Sequence, residues 1–192
     1  MALALRRDPG MRVAEYQAWV TDRPDEERWE LIDGEPLLMA PQSERHQLIV
    51  LNLARRLSDM VRGRGYRAIP GIAVLSDTMD TFALIPDVVV RCGPPLKDGY
   101  ARDPILVAEV LSPSTMSRDR GLKTDFYRSI ASLRVFLIVY QDEPRVEVWR
   151  RGSEGWSFGA HTVGAHTVGD VVELPEPGGR LAVADIYDDI AF

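Results

Sequence analysis

Ile85-Pro-Asp-Val-Val-Val90 and Pro104-Ile-Leu-Val-Ala-Glu-Val-Leu111 are the two runs on which the fold turns. Both are nearly continuous apolar stretches rich in β-branched residues, the mark of strands covered on both faces. Each is interrupted by one acid, Asp87 or Glu109. Strand alternation puts Asp87 on a face with Val89, and Glu109 on a face with Val107 and Leu111. Carboxylates are almost never fully buried unless they are paired or bound to a cation. If the strands are neighbours, the two acids converge, and one then takes up a proton unless a cation compensates them. A magnesium ion needs such a pair, with a backbone carbonyl and water as its remaining ligands. Either acid alone reads more simply as a strand-end residue bonded to a turn or to an arginine. Both together, with a lysine in reach, read as a site.

The neighbouring sequence supplies helices and more strands. Trp29-Glu-Leu-Ile32, Asp33-Gly34 and Glu35-Pro-Leu-Leu-Met39 make a hairpin signal, with Pro36 placing the second strand at an edge. Met11 to Val20 has the spacing of a short helix before it. After it, Ser43 caps a helix expected over 44–62, where Ile49, Leu53 and Leu57 recur at four-residue spacing and Gly63 and Gly65 end it. Tyr66 to Leu75 reads as a strand broken at Pro70-Gly71, and 93–99 as a loop. A helix is expected over 117–131, then a strand pair at 134–140 and 145–151 turned by Gln141-Asp-Glu-Pro144. Helices before and after a hydrophobic sheet imply a layered α/β (α+β) core, a central mixed sheet with an added N-terminal hairpin. Residues 1–192 are expected to form one domain, its core about 11–151, with 152–192 as peripheral strands and loops.

Composition narrows the chemistry. Of 192 residues, 45% are hydrophobic, enough for a well-formed core. Cys92 is the only cysteine and there are three histidines, so thiolate or histidine-rich metal cages are excluded and carboxylates must hold any catalytic metal. That favours magnesium or manganese. No apolar run is long enough to span a membrane, and Arg6 and Arg7 follow the short N-terminal apolar stretch rather than precede a long one, so the expected location is cytoplasmic. The net charge of -6 argues against non-specific coating of nucleic acid, although a local basic groove remains compatible with it. Arg55, Arg56, Arg62, Arg64 and Arg67, and likewise Arg118, Arg120, Lys123 and Arg128, read individually as solvated helix faces. Ala160-His-Thr-Val-Gly164 is repeated at 165–169, a local duplication that lengthens a surface hairpin; His161 and His166 lack neighbouring ligands for a shared metal.

Lys123, from spacing alone, is a surface lysine paired with Asp119 one turn away. Five segments in order alter that reading: Trp29-Glu-Leu-Ile-Asp-Gly-Glu35, Pro41-Gln-Ser-Glu-Arg-His46, Pro86-Asp-Val88, Glu109-Val-Leu-Ser-Pro-Ser-Thr115, and Asp119-Arg-Gly-Leu-Lys123 with Tyr127. Together they resemble the Uma-type restriction endonuclease family of the PD-(D/E)XK nuclease superfamily, from about Tyr16 to Arg151, and Leu181 to Tyr187 resembles its closing segment. The resemblance implies a restriction endonuclease-like core with Asp87 and Glu109 as metal-binding acids, joined by the carbonyl of Val110. The superfamily lysine two residues after the second acid is Leu111 here, and the resemblance gives its role to Lys123. Glu30 is implied as an additional acid at the edge of the site. His46 faces the site or packs locally, and Ser112 and Thr115 shape the loop after the second strand. Ala131-Ser-Leu133 and Arg134 to Tyr140 depart from the family's glycine-rich entry and aromatic pair. The implied activity is magnesium-dependent hydrolysis of DNA, expected to be double-stranded, with a homodimer compatible with that substrate. The alternative is a DNA-binding or regulatory module on the same scaffold that has lost turnover.

Overall fold

The computed structural model describes residues 10–111, 119–162 and 169–192, with the side chains of Asp119 and Arg120 outside the description. In chain order its elements are α1 (Val13–Thr21), β1 (Trp29–Ile32), β2 (Glu35–Leu38), α2 (Glu44–Val61), β3 (Tyr66–Pro70), β4 (Ala73–Val74), β5 (Val88–Cys92) and β6 (Tyr100–Ala101). They continue with β7 (Pro104–Leu111), α3 (Asp119–Ser129), β8 (Val135–Tyr140), β9 (Arg145–Gly152), β10 (Gly155–Thr162), β11 (Val171–Leu174), β12 (Gly179–Ala182) and α4 (Val183–Ile186).

The two acid-bearing runs become neighbours. β5 pairs antiparallel with β7, Val88 facing Ala108 and Val89 facing Val107, at the middle of a six-stranded sheet ordered β10-β9-β8-β7-β5-β3. β7 and β8 are parallel and the other pairs antiparallel, so the sheet is mixed, as the sequence implies. The parallel pair needs a crossover, and α3 supplies it. Asp87 lies one residue before β5 rather than inside it; continuing the register by one position still sets it opposite Glu109.

Each sheet face buries a separate layer. On one face Val88, Val90, Leu106, Ala108, Leu137, Val139, Val146 and Val148 pack against the Ile49, Leu53 and Leu57 stripe of α2. On the other, Val89, Val107, Phe136 and Ile138 pack against Phe126, Tyr127 and Ile130 from α3 and its C-terminal end, and against Ile32 and Phe82. Ser43 caps α2 as expected, accepting from the His46 amide at 3.2 Å. The hairpin also forms as expected, with Asp33 and Gly34 at φ 49° and 82°, the left-handed pair that a two-residue turn requires. Its strand β1 is tied to the body by Leu31, bridged to Ala83. This fixes Glu30 beside Ile85.

The C-terminal segment differs from the expected periphery. β10 continues the central sheet, and Val172, Leu174, Leu181, Val183, Ile186 and Tyr187 are buried in the α2-side core. Asn52 on α2 donates to the carbonyls of Ile186 and Asp188, holding α4 in place. Local composition, rich in glycine and proline, hid this because burial here comes from long-range packing. Residues 112–118 and 163–168, which include Ser112, Thr115, Arg118 and His166, lie outside the described residues. Among the described residues, no helix is long and apolar enough to cross a membrane.

Candidate active site

Glu109 sits near the C-terminal end of β7 on the α3-side face and is buried. Its Oε1 accepts from the Tyr127 hydroxyl at 2.5 Å, and the Lys123 Nζ lies 3.6 Å from the same oxygen. Lys123 and Tyr127 are one turn apart on α3 and so share a face, which is why one helix reaches Glu109 twice. Lys123 also meets Glu30, at 2.9 Å from Oε2 and 3.1 Å from Oε1. Glu30 in turn accepts from the backbone amide of Ile85 at 2.8 Å. The result is a chain of contacts, Tyr127–Glu109–Lys123–Glu30, running from α3 through β7 to the hairpin.

Asp87 approaches from the other side. Its Oδ2 accepts from the Val110 amide at 2.7 Å, and its Oδ1 lies 3.4 Å from His46 Nε2. His46, in the first turn of α2, is buried with Nδ1 lacking any partner among the described residues. Asp87, Glu109, Glu30, Lys123, His46 and Val110 all line one cavity of about 520 Å³. The hairpin residues Leu37 and Leu38 form its apolar wall.

The electrostatics are those of crowded acids. Burial pushes the Glu109 carboxyl up to about 7; Lys123 and the Tyr127 hydroxyl pull it down, and Asp87 and Glu30 add to the rise. Burial alone would lower Lys123, but Glu109, Glu30 and Asp87 outweigh it and hold the ammonium above its ordinary range. His46 is likewise lowered by burial, and Asp87, the Val110 backbone and Glu109 reverse that and raise it. Burial also drives the Tyr127 hydroxyl well above the ordinary range, with Glu109 adding to it. Tyr127 is therefore a fixed donor to Glu109. Among the described residues, three carboxylates surround a single lysine, an arrangement whose negative excess suits a cation. Among the described residues, no group of three or more His, Cys, Asp and Glu side chains is already gathered as a metal cage. What is present is two facing acids and the Val110 backbone.

Glu30, Asp87, Glu109 and Lys123, read from the sequence as site residues, are thus together in space, and the lysine pairs with Glu30 and Glu109. Val110 adjoins them through its amide bond to Asp87, and His46 faces the site. Two members went unassigned by sequence reading. Tyr127 donates its hydroxyl to Glu109, and its i, i+4 spacing from Lys123 was the available signal. The Val110 amide, which orients Asp87, is a backbone group that no side-chain motif reports.

Comparison with known proteins agrees with this fold. Residues 13–182 match the model of a family described as "Uma2: Putative restriction endonuclease". The chain belongs to the Uma2 family. The matched span includes Glu30, His46, Asp87, Glu109, Val110 and Lys123 of the cavity, as well as Tyr127. The uncharacterized protein slr1290 of Synechocystis sp. is 27% identical over 187 residues, covering 96% of this chain and 95% of that one. A second uncharacterized Synechocystis protein, sll1609, is 31% identical over 135 residues, covering 68% of this chain and 76% of its own length. A crystal structure of "a putative nuclease belonging to DUF820" from Anabaena variabilis superposes with a TM-score of 0.70 at 16% identity, over 92% of this chain and 97% of that one. The Uma2 chain therefore has the restriction endonuclease-like fold, a central mixed sheet flanked by helices.

Proposed function

We propose that this Uma2 chain is a metal-dependent endonuclease that hydrolyses phosphodiester bonds of DNA. The observation that carries the proposal is the meeting of Asp87 and Glu109 across neighbouring strands, with Lys123 at 3.6 Å from Glu109 and a cavity in front of them. The donor set fits magnesium or manganese: hard carboxylate oxygens in negative excess, with Asp87, Glu109 and the Val110 carbonyl as the proposed ligands. When bound, such an ion lowers the pKa of an attached water and neutralises charge on the phosphate. The protein's own groups hold that arrangement in place. Val110 fixes one oxygen of Asp87 through its amide, and Tyr127 fixes Glu109. Lys123, held at Glu30, brings positive charge to the cavity, where it stabilises negative charge developing on a phosphate oxygen. His46 keeps its ring against Asp87. Duplex DNA is the proposed substrate, and a two-fold dimer would match its symmetry.

Plasmid DNA incubated with the purified chain and magnesium or manganese tests this directly. Nicks that disappear in Asp87→Ala are expected, and cutting at the wild-type rate in that variant would sink the assignment. The double engagement of Lys123 by Glu30 and Glu109 favours a second reading, a DNA-binding module without turnover. Calorimetry separates the two. A magnesium signal that vanishes in Glu109→Gln supports the nuclease, and no signal in the wild type supports the module.

A further inference from the structure

The outer end of the same sheet face carries a cluster unrelated to the carboxylates. On β9 and β10, Trp149 pairs in register with Phe158, and Arg151 with Trp156. The Trp149 and Phe158 rings lie 5.0 Å apart at a 53° tilt. Arg151 stands over Trp156 at 4.8 Å, and Arg128, from the last turn of α3, stands over Trp149 at 5.6 Å. Among the described residues β10 ends the sheet, with no further strand beside Phe158, which is 53% exposed.

The charge at this patch contrasts with the chain as a whole. The net charge is -6, yet among the described residues no carboxylate pairs with Arg128 or Arg151. Arg151 spends its donors on the Ala131 and Arg128 carbonyls at the end of α3, which leaves its charge uncompensated. Arg128 is exposed and, among the described residues, is held only by the Trp149 ring. Arg145, on the same face, is by contrast neutralised by Glu143 and Glu147. Uncompensated guanidinium groups beside an open aromatic ring are what an unpaired nucleic-acid strand requires. The cations meet phosphates, and the ring takes the face of a base.

We infer that Phe158, Trp149 and Trp156, with Arg128 and Arg151, form a binding platform for an unpaired stretch of nucleic-acid strand. A fully paired duplex hides its base faces and cannot use Phe158, so the platform selects substrates with a single-stranded or frayed segment. Register places it relative to the acids. Glu109 faces Ile138, Ile138 faces Glu147 and Glu147 faces Ala160, and Phe158 lies two residues from Ala160 on the same side. Three strand spacings are about 14 Å, so a strand seated on the platform lies beside α3 on the sheet face that bears Glu109. Its relevance to cutting rests on the nuclease reading, whereas the binding itself does not.

Fluorescence anisotropy of a labelled single-stranded oligonucleotide, measured in EDTA so that nothing is cut, tests the platform. The wild-type chain is expected to bind it more tightly than a blunt duplex of the same sequence. Phe158→Leu keeps an apolar contact with Trp149 but removes the ring, and should weaken single-strand binding at least about fivefold, while Phe158→Tyr retains it. Arg128→Ala, which removes no hydrogen bond or ion pair among the described residues, should lower the salt dependence by about 0.7 in log–log slope. Equal affinity for strand and duplex, or binding unchanged in both Phe158→Leu and Arg128→Ala, would overturn the platform. So would light scattering in which Phe158→Leu turns a dimer into a monomer without altering oligonucleotide binding, since the patch would then serve a second copy of the chain. Binding that follows these expectations in a protein that never cuts with magnesium would refute the nuclease reading and leave the platform standing.

Discussion

On the α2 side of the sheet, Leu106, Ala108, Leu137, Val139, Val146 and Val148 are buried and uniformly apolar. On the α3 side, the alternate positions of the same strands mix Val107, Phe136 and Ile138 with Glu109 and Glu147. Both glutamates are buried, each with a tyrosine hydroxyl and a cation: Tyr127 and Lys123 for Glu109, Tyr140 and Arg145 for Glu147. Only Glu109 faces the cavity with Asp87 and Glu30. One face therefore serves cohesion, and the other holds charge that is tolerated because partners surround it. Stability and chemistry should then respond to substitution separately on the two sides.

The largest stability effect belongs on the apolar face. Leu53→Ala should cost about 2–5 kcal/mol in urea unfolding, since the side chain is fully buried under the sheet. A loss below about 1 kcal/mol would mean that α2 is not the principal cover of that face. Next is Lys123→Met, which leaves Glu30 and Glu109 without their shared cation. The side chain of Lys123 is 19% exposed, so the cost expected from melting in EDTA is roughly 2 kcal/mol, below that of a fully buried pair. Tyr127→Phe is smaller again, about 1–2 kcal/mol, because one donor to a buried carboxylate is lost. An unchanged melt would show that this hydroxyl bond carries no stability.

Glu109→Gln should act in the opposite direction. Burial raises the Glu109 carboxyl from 4.5 to about 7, so the folded state holds its proton more firmly than the unfolded chain does. That contribution is complete below about 4.5 and disappears as pH rises through about 7. Glutamine cannot ionise. In EDTA, the variant should melt at least about 2–4 °C above the wild type at about pH 8 and show little difference at about pH 4. A variant less stable at both values would mean that the ionised form of Glu109 is favoured in the fold.

Much of the α3-side chemistry was legible because charge within an apolar run is conspicuous. Asp87 and Glu109 each break a β-branched stretch, and the register between β5 and β7 does bring them face to face. Glu30 and Lys123 could be named only through the family resemblance; a hairpin acid and a helix lysine separated by 93 residues give no local signal of pairing. Glu147 escaped notice because Arg145-Val-Glu-Val-Trp149 alternates like any half-exposed strand, and its burial depends on Tyr140 and Arg145. The same holds for β10 to α4. Their glycines and prolines read as turns, but Val172, Leu181 and Ile186 between them complete a core whose α2 stripe lies more than a hundred residues earlier.

That late completion bears on how the chain is made. Synthesis delivers the stripe of α2 early, yet Val172, Leu181, Val183 and Ile186, which cover part of it, come last. At about 5–20 residues per second, the gap between Val61 and Ile186 amounts to on the order of ten seconds of translation. During that interval a nascent chain carries an open apolar strip that only its own unsynthesised tail can close. A message truncated after Thr162 would leave it open permanently, making its product a chaperone client.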